Sequence, residues 1–483
     1  MTITPFGLIF ITLGFTLLVA RPAWLLPLLI VSAVLQAFAV AIINPAALKV
    51  GLGITPWLFV CSLIFVHLIV IIIRNRRIEL GASRTVKVLF WGWMIFIAWC
   101  VLSAFTLPFL FEGTPVHVLN DVFNNKIWDS PPDKWGNPFT LSSDSPLQPL
   151  VWNHVSALLA INIAIIGMLL VYVLQLGKDA KTIEHLMFGL IVAALVSLSI
   201  TICQLFELIG TTSTLTIILQ KSLNPSYSQG DILGRINWPF SEPSYASVWY
   251  ASVSMGGLAI HLFTKRSWFG ILFFIEGLCG LLISRGGTGV AGFGLTLLVL
   301  SVSLPVFLWK KISLRPVLWR LTPLVVSISL TVIIYEIARQ THPNLPDIYS
   351  SAQFILKNRI LGPIEWRGQS NLDAITITRD TWGLGVGLGS NRASSYVLSM
   401  MSDIGIFGLA LFLALLTYQV YLVACNSTTD NALKAFILGG TICMFSGMMM
   451  GVPDLTFPAW WIWLIAGFGF LASRQHFGSV QSE

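Results

Sequence analysis

An all-α, polytopic bundle of membrane-spanning helices is the fold class this sequence predicts, on three observations. The chain of 483 residues is 55% apolar and only 10% charged, with a mean hydropathy of +0.82, too few charges to build a water-facing surface. Apolar runs long enough for a helix to cross a bilayer core recur between short polar breaks. The basic residues gather in alternate short breaks, as the positive-inside bias requires.

The runs fall at 6–20, 23–43, 53–73, 87–111, 155–177, 186–208, 243–263, 268–284, 288–309, 321–338, 403–424, 434–451 and 458–473. The first lacks a basic leader and is followed by Arg21 rather than a small-residue cleavage site, which marks a retained span. Placing Arg21, the Arg74/Arg76/Arg77 cluster, Lys178 with Lys181, Lys265 with Arg266, Lys310 through Arg320, and Arg474 in the cytoplasm satisfies strict alternation with about thirteen spans. The N-terminus then faces out and the C-terminus lies inside. Sixteen Lys and Arg residues fall inside and twelve outside. One polytopic domain, 1–483, is expected, with no nucleotide-sized soluble domain, and the net charge of +7 is membrane sidedness rather than a nucleic-acid surface. Six cysteines in or beside apolar runs, without a CxxC pair, argue against disulfides and metal clusters.

Function is expected in three outward loops, 112–153, 209–242 and 339–402. In the first, Trp128, Trp135 and Trp152 read as interfacial anchors or sugar-stacking faces. In the third, Asp347 after Pro346 opens an amphipathic stretch through Ile348, Ala352, Ile355 and Leu356, read as a surface helix.

Three segments carry candidate chemistry. The second loop ends in Arg235-Ile236-Asn237-Trp238-Pro239-Phe240-Ser241-Glu242-Pro243-Ser244-Tyr245 and runs into a span. Ser241 suits an N-cap and Pro243 a first helical turn, but helix initiation does not explain Arg235 and Glu242 flanking a Trp-Pro-Phe turn at the membrane face. Ser284-Arg285-Gly286-Gly287 places an arginine in a tight outward hairpin, where a guanidinium suits phosphate and stays charged; a lone snorkelling arginine is the bland alternative. Gly383 to Gly389 carries glycine at every second position, then Ser390, Asn391 and Arg392. Without a βαβ context it is no dinucleotide fingerprint; it is either a re-entrant turn or a place where backbone N–H groups approach an anion, with Arg392 adding charge. Glu276, deep in a span, is a second-tier candidate, Asp403 and Asp454 read as interface residues, and His117, His154 and His342 are outward without metal-ligand spacing.

These segments resemble the superfamily of O-antigen ligases and Wzy-type polysaccharide polymerases, polytopic glycosyltransferases of bacterial envelopes. The resemblance lies in Arg235 with Phe240-Ser241-Glu242-Pro243-Ser244, in Ser284-Arg285-Gly286-Gly287, and in Gly385 to Ser390 with Asp403-Ile404-Gly405-Ile406-Phe407-Gly408. It covers roughly residues 230 to 425; the N-terminal spans are similar only in hydropathy and count.

The resemblance implies a GT-C-like helical fold with short amphipathic helices in its large loop. It implies a metal-independent, cofactor-free, inverting glycosyltransferase of the bacterial inner membrane, acting at the periplasmic face. Donor and acceptor would be undecaprenyl-pyrophosphate-linked oligosaccharides; membrane lipid and a chain-length-regulating or export complex would be the other partners. Arg235 and Arg285 would hold the pyrophosphate, and Glu242 would be the general base. Arg392, Arg367, Arg379, Ser390 and Asn391 would contact substrate and Tyr245 would stack on sugar. Ligases usually carry a His-Asn or similar pair after the Gly-rich loop, where this chain has Ser394-Ser395-Tyr396, so the exopolysaccharide polymerase branch is favoured. Two alternatives stand beside it. A ligase would pass the glycan to a lipid core, and a transporter or flippase would show internal repeats, of which the halves carry no convincing trace.

Overall fold

The computed structural model describes residues 1–43, 52–76, 83–117, 147–177, 181–208, 213–224, 236–264, 267–308, a few positions between 325 and 340, 364–426, 431–452 and 454–473. Fourteen helices lie among these: α1 (Pro5–Ala20), α2 (Leu25–Val34), α3 (Pro56–Asn75), α4 (Arg84–Leu110), α5 (His154–Leu176), α6 (Thr182–Leu208), α7 (Thr214–Gln220), α8 (Pro243–Phe263), α9 (Ser267–Ser284), α10 (Gly287–Leu308), α11 (Ile364–Asp380), α12 (Tyr396–Cys425), α13 (Asn431–Gly451) and α14 (Pro458–Ser473). Twelve of the thirteen apolar runs thus contain helices, while 321–338 lies mostly outside the described residues. Seven helices (α3, α4, α5, α6, α8, α12 and α13) are long and apolar enough to cross a membrane, and five more apolar helices are shorter. Exposed Phe65, Val70, Trp91, Ile95, Leu102 and Phe105 give α3 and α4 an apolar exterior suited to lipid.

Local sequence sets the helix starts. Thr4, Thr55, Ser83 and Asn153 each accept a backbone N–H from the first turn of α1, α3, α4 and α5, and Pro5 and Pro56 occupy first-turn positions that need no donor. The run 23–43 departs from expectation, because its helix stops at Val34 instead of spanning to residue 43. Residues 35–41 remain buried but turn into irregular chain and then strand. Their backbone groups bond elsewhere: Ala37 N–H donates to Pro239 O at 2.8 Å, Ala39 N–H to Ser222 O at 2.9 Å, and Val40 N–H to Ile54 O at 2.7 Å. Non-helical backbone survives in an apolar bundle only when protein satisfies it in this way. Strands β1 (Thr2–Ile3), β2 (Ala41–Ile43) and β3 (Leu52–Ile54) form the resulting antiparallel sheet, in the order β1-β2-β3. A second pair joins β4 (Pro115–Val116) and β5 (Gln148–Pro149).

Helix α8 is the centre of the bundle, buried along almost its whole length and packed by α9, α10 and α13. Its Ala, Ser and Gly content permits this, since small residues let helix backbones approach closely. A Cβ on Gly257 would fall 2.5 Å from Phe274 N, and one on Gly439 of α13 would fall 2.7 Å from Met255 O.

Segments distant in sequence touch at the helix ends, as in Phe38 with Leu223 and Arg392 with His117. Elsewhere the Tyr172 hydroxyl donates to Pro22 O at 3.1 Å, and Trp24 packs on His185.

One buried polar tie crosses three helices: Gln419 of α12 accepts from Trp93 Nε1 of α4 at 2.9 Å and donates to Leu464 O of α14 at 2.7 Å. Gln419→Leu strands the indole N–H and should cost about 1–2 kcal/mol, measurable as a lower apparent melting temperature in detergent without a change of oligomeric state.

Candidate functional site

The segment entering α8 is held rigidly. Gln204 Oε1 accepts the N–H groups of Asn237 and Trp238 at 3.0 and 2.8 Å. Thr201 donates to Trp238 O at 2.6 Å, and Asn237 Nδ2 donates to the carbonyls of Phe240 and Ser241. The Trp238–Pro239 bond is cis. Glu242, not Ser241, occupies the N-cap position, with extended backbone, and its side chain makes no capping bond. The carboxylate instead accepts from Ser244 Oγ at 3.2 Å, so its placement is not explained by helix initiation. Tyr245 is buried against Phe457, ring centroids 4.6 Å apart, which leaves little face for stacking.

Arg285 sits between α9 and α10 in a left-handed turn, φ 50°. Gly286 presses that turn onto α8, where a Cβ would lie 2.2 Å from Ser247 Oγ and 2.8 Å from Pro243 O, and Gly289 N–H donates to Ser247 Oγ at 3.1 Å. The turn that carries Arg285 is therefore seated on the first turns of the helix that begins at Glu242. Arg235 lies outside the described residues, as do Trp128, Trp135 and the stretch 347–356. The helix described in the third loop is α11, C-terminal to that stretch; Arg367 belongs to it by backbone only, its side chain lying outside the described set.

The N–H groups of the Gly-rich loop do meet an acceptor, and it is one of the protein's own side chains. Gly383, Gly385, Gly387 and Gly389 all have positive φ, and the loop folds back onto the start of α12. Asp403 there accepts from Gly389 N at 3.1 Å and Asn391 N at 2.9 Å. Helix α12 breaks at Gly405, φ 75°, where Ile406 N–H reaches back to Gly383 O at 2.8 Å. Ser390 and Asn391 are fully buried: Asn391 donates to Ser402 Oγ and accepts from His117 N, while Ser390 Oγ lies 3.4 Å from Ser156 Oγ. Their side chains hold the loop in place. Asp403, read from sequence as an interface residue, is the loop's internal anchor. Arg379 stands exposed, paired with Asp380 at 3.0 Å.

Arg392 leaves this loop half-buried, near a residue read from sequence as an interface residue. Asp454, in the turn between α13 and α14, accepts from Thr456 N and Oγ1, both at 2.8 Å. Burial pushes the Asp454 carboxyl above the usual carboxylate range; its Thr456 bonds and Arg392 oppose that shift, and Glu242 adds to it. Asp454 thus feels the charge of both Glu242 and Arg392. The hydroxyl of Tyr396 and the indole of Trp460 are buried near this cluster, their ring centroids 6.3 Å apart. The available sequence signal was an acid in a short Pro-bounded loop, on the side alternation assigns to Glu242. His117, from the first loop, pairs through Nε2 with Asp373 of α11 at 2.7 Å. Buried Glu276 has one carboxylate oxygen without a partner among the described residues.

Two acids and two arginines drawn from four loops therefore border one end of the bundle. Such a group can hold an anion and accept a proton from a neighbouring hydroxyl. No protein-family model and no curated protein matches the chain.

A raised carboxyl pKa means the fold binds a proton more tightly than the unfolded chain, so stability falls as pH rises through the folded-state value. Asp454→Asn, which keeps an acceptor for Thr456 N, should raise the apparent melting temperature at pH 7.5. That gain should vanish below about pH 4, the unfolded range for Asp; a gain independent of pH would show that the charge is not the cause.

Proposed function

We propose that this protein is a glycosyltransferase that polymerises undecaprenyl-pyrophosphate-linked oligosaccharide repeats at the periplasmic face of the bacterial inner membrane. In this reading the bundle has about thirteen spans and a GT-C-like arrangement, with the N-terminus outside and the C-terminus inside. The observation that carries it is Glu242: an acid at a helix start that does no capping, with the Arg285 turn seated on the same helix start and with Asp454, itself near Arg392, in electrostatic reach.

A lipid pyrophosphate is already a good leaving group, so the site need only stabilise charge as it departs. An acceptor sugar hydroxyl attacks the anomeric carbon, the bond from that carbon to the pyrophosphate oxygen breaks, and its electron pair leaves on the pyrophosphate. Arg285 and Arg392, with Arg235, meet the developing charge. Glu242 takes the hydroxyl proton, and direct displacement inverts the anomeric centre. Ser390, Asn391 and Tyr245 act by shaping the site, while Arg367 and Arg379 on α11 add positive charge at its margin.

One observation favours a second reading, a ligase that passes the glycan to a lipid core. That branch expects a histidine after the Gly-rich loop, and His117 reaches the same loop from elsewhere in the chain.

Purified protein in lipid, given a matched lipid-pyrophosphate-linked repeat and no other acceptor, should produce a ladder on a gel. Arg285→Ala and Glu242→Gln should each slow it by about 100-fold or more while remaining folded. Absence of a ladder would overturn polymerase, and transfer to an added lipid core would establish the ligase.

A further inference from the structure

His117 touches the Gly-rich loop through its backbone and α11 through its side chain. Its N–H donates to Asn391 Oδ1 at 3.0 Å and its carbonyl accepts Arg392 N–H at 3.1 Å. The ring closes the other side, Nε2 lying 2.7 Å from Asp373 Oδ2, with the two side chains only 13% and 16% exposed. Asp373 is fixed in turn, because its Oδ1 accepts from Gln369 Nε2 at 2.8 Å. Two residues earlier on α11, Asn371 Oδ1 accepts the N–H groups of Ser394 and Ser395, both at 3.1 Å. Helix α11 thus grips the chain on both sides of Arg392, directly at 394–395 and through His117 at 391–392.

We propose that His117 and Asp373 are positioning residues, a clamp by which α11 and the first loop hold Arg392 against Asp454 so that its guanidinium is set for an anionic substrate. Nothing local would otherwise do this. The loop before Arg392 is glycine-rich and carries four positive-φ residues, a backbone whose freedom must be removed by contacts. Asp403 holds that loop from the α12 side at Gly389 and Asn391, and the clamp secures the next residue from the opposite side. The ring nitrogen facing Asp373 is spent on that bond, which suits a strut better than a group that exchanges protons with substrate. Only the identity of the anion rests on the glycosyl-transfer reading.

The test compares wild type with His117→Ala, Asp373→Ala and His117→Gln in lipid nanodiscs, by amide hydrogen exchange over 386–395 and by binding of undecaprenyl pyrophosphate. Glutamine places an amide N–H near the position of Nε2 and can keep the bond to Asp373. Exchange at 389–392 should accelerate roughly tenfold in both alanine variants, and affinity should fall about tenfold, while His117→Gln resembles wild type in both. Arg392→Ala should remove the sensitivity, so that adding His117→Ala to it weakens binding no further. Unchanged exchange in the alanine variants would overturn the clamp. So would His117→Gln losing ladder formation with exchange and affinity intact, because His117 would then be moving a proton. Faster exchange in a protein whose wild type does not bind undecaprenyl pyrophosphate would support the clamp and overturn the glycosyl-transfer reading alone.

Discussion

Everything at the candidate site depends on α8 having no side that faces lipid. A helix enclosed by α9, α10 and α13 must present Gly, Ala and Ser where backbones cross, and α8 does so along most of its length. Close packing of this kind leaves little freedom to rotate or slide. The start of the helix is fixed by the same constraint, with Thr201 and Gln204 of α6 bonding the residues that lead into it. Glu242 therefore projects from a rigid point, and the Arg285 turn is rigid relative to it because Gly286 and Gly289 are seated on Ser247. A catalytic arrangement needs that pre-set geometry more than it needs any single strong contact.

The second fixed point is built from weak backbone. Alternating positive-φ glycines would be floppy alone, and the Asp403 carboxylate turns them into a defined loop by accepting two of its N–H groups. Gly405 makes this possible. A Cβ there would lie 2.4 Å from the carbonyl oxygens of Gly383 and Leu384, so only glycine lets α12 break and the loop dock. Loop and helix break are one device, and its product is the place where Arg392 emerges.

Hydropathy made the bundle legible: twelve expected runs contain helices because burial in an apolar environment leaves the backbone few alternatives. The run 23–43 failed at its outer end because long-range partners, Pro239 and Ser222, replaced the helical bonds, and no local pattern encodes such partners. The α8 entry and the Arg285 hairpin could be read locally, since proline, glycine and charge fall within a few residues of each other. Asp454 and the His117–Asp373 pair could not, because their meaning comes from neighbours hundreds of residues away. The Gly-rich loop was half legible: its backbone N–H groups do meet an acceptor, but that acceptor is a side chain two helical turns into the next helix that looked like an interface residue.

That internal use of Asp403 bears on how the site could accept a pyrophosphate. In the proposed reaction the donor brings negative charge to a cluster that already contains Glu242 and Asp454, and two like charges in a poorly solvated place oppose a third. Asp403 adds no uncompensated charge at the loop, since its lone pairs are taken by N–H groups. Asp454 is where the balance turns. Burial and the proximity of Glu242 push its carboxyl upward, so it competes less strongly than an ordinary carboxylate for the Arg392 guanidinium. Glu242 can then act as base beside a bound pyrophosphate whose charge is met by Arg285, Arg392 and Arg235, rather than compete with the substrate for them. A hydrophobic membrane end with a buried, protonatable second carboxylate can in this way bind an anion and still keep a base.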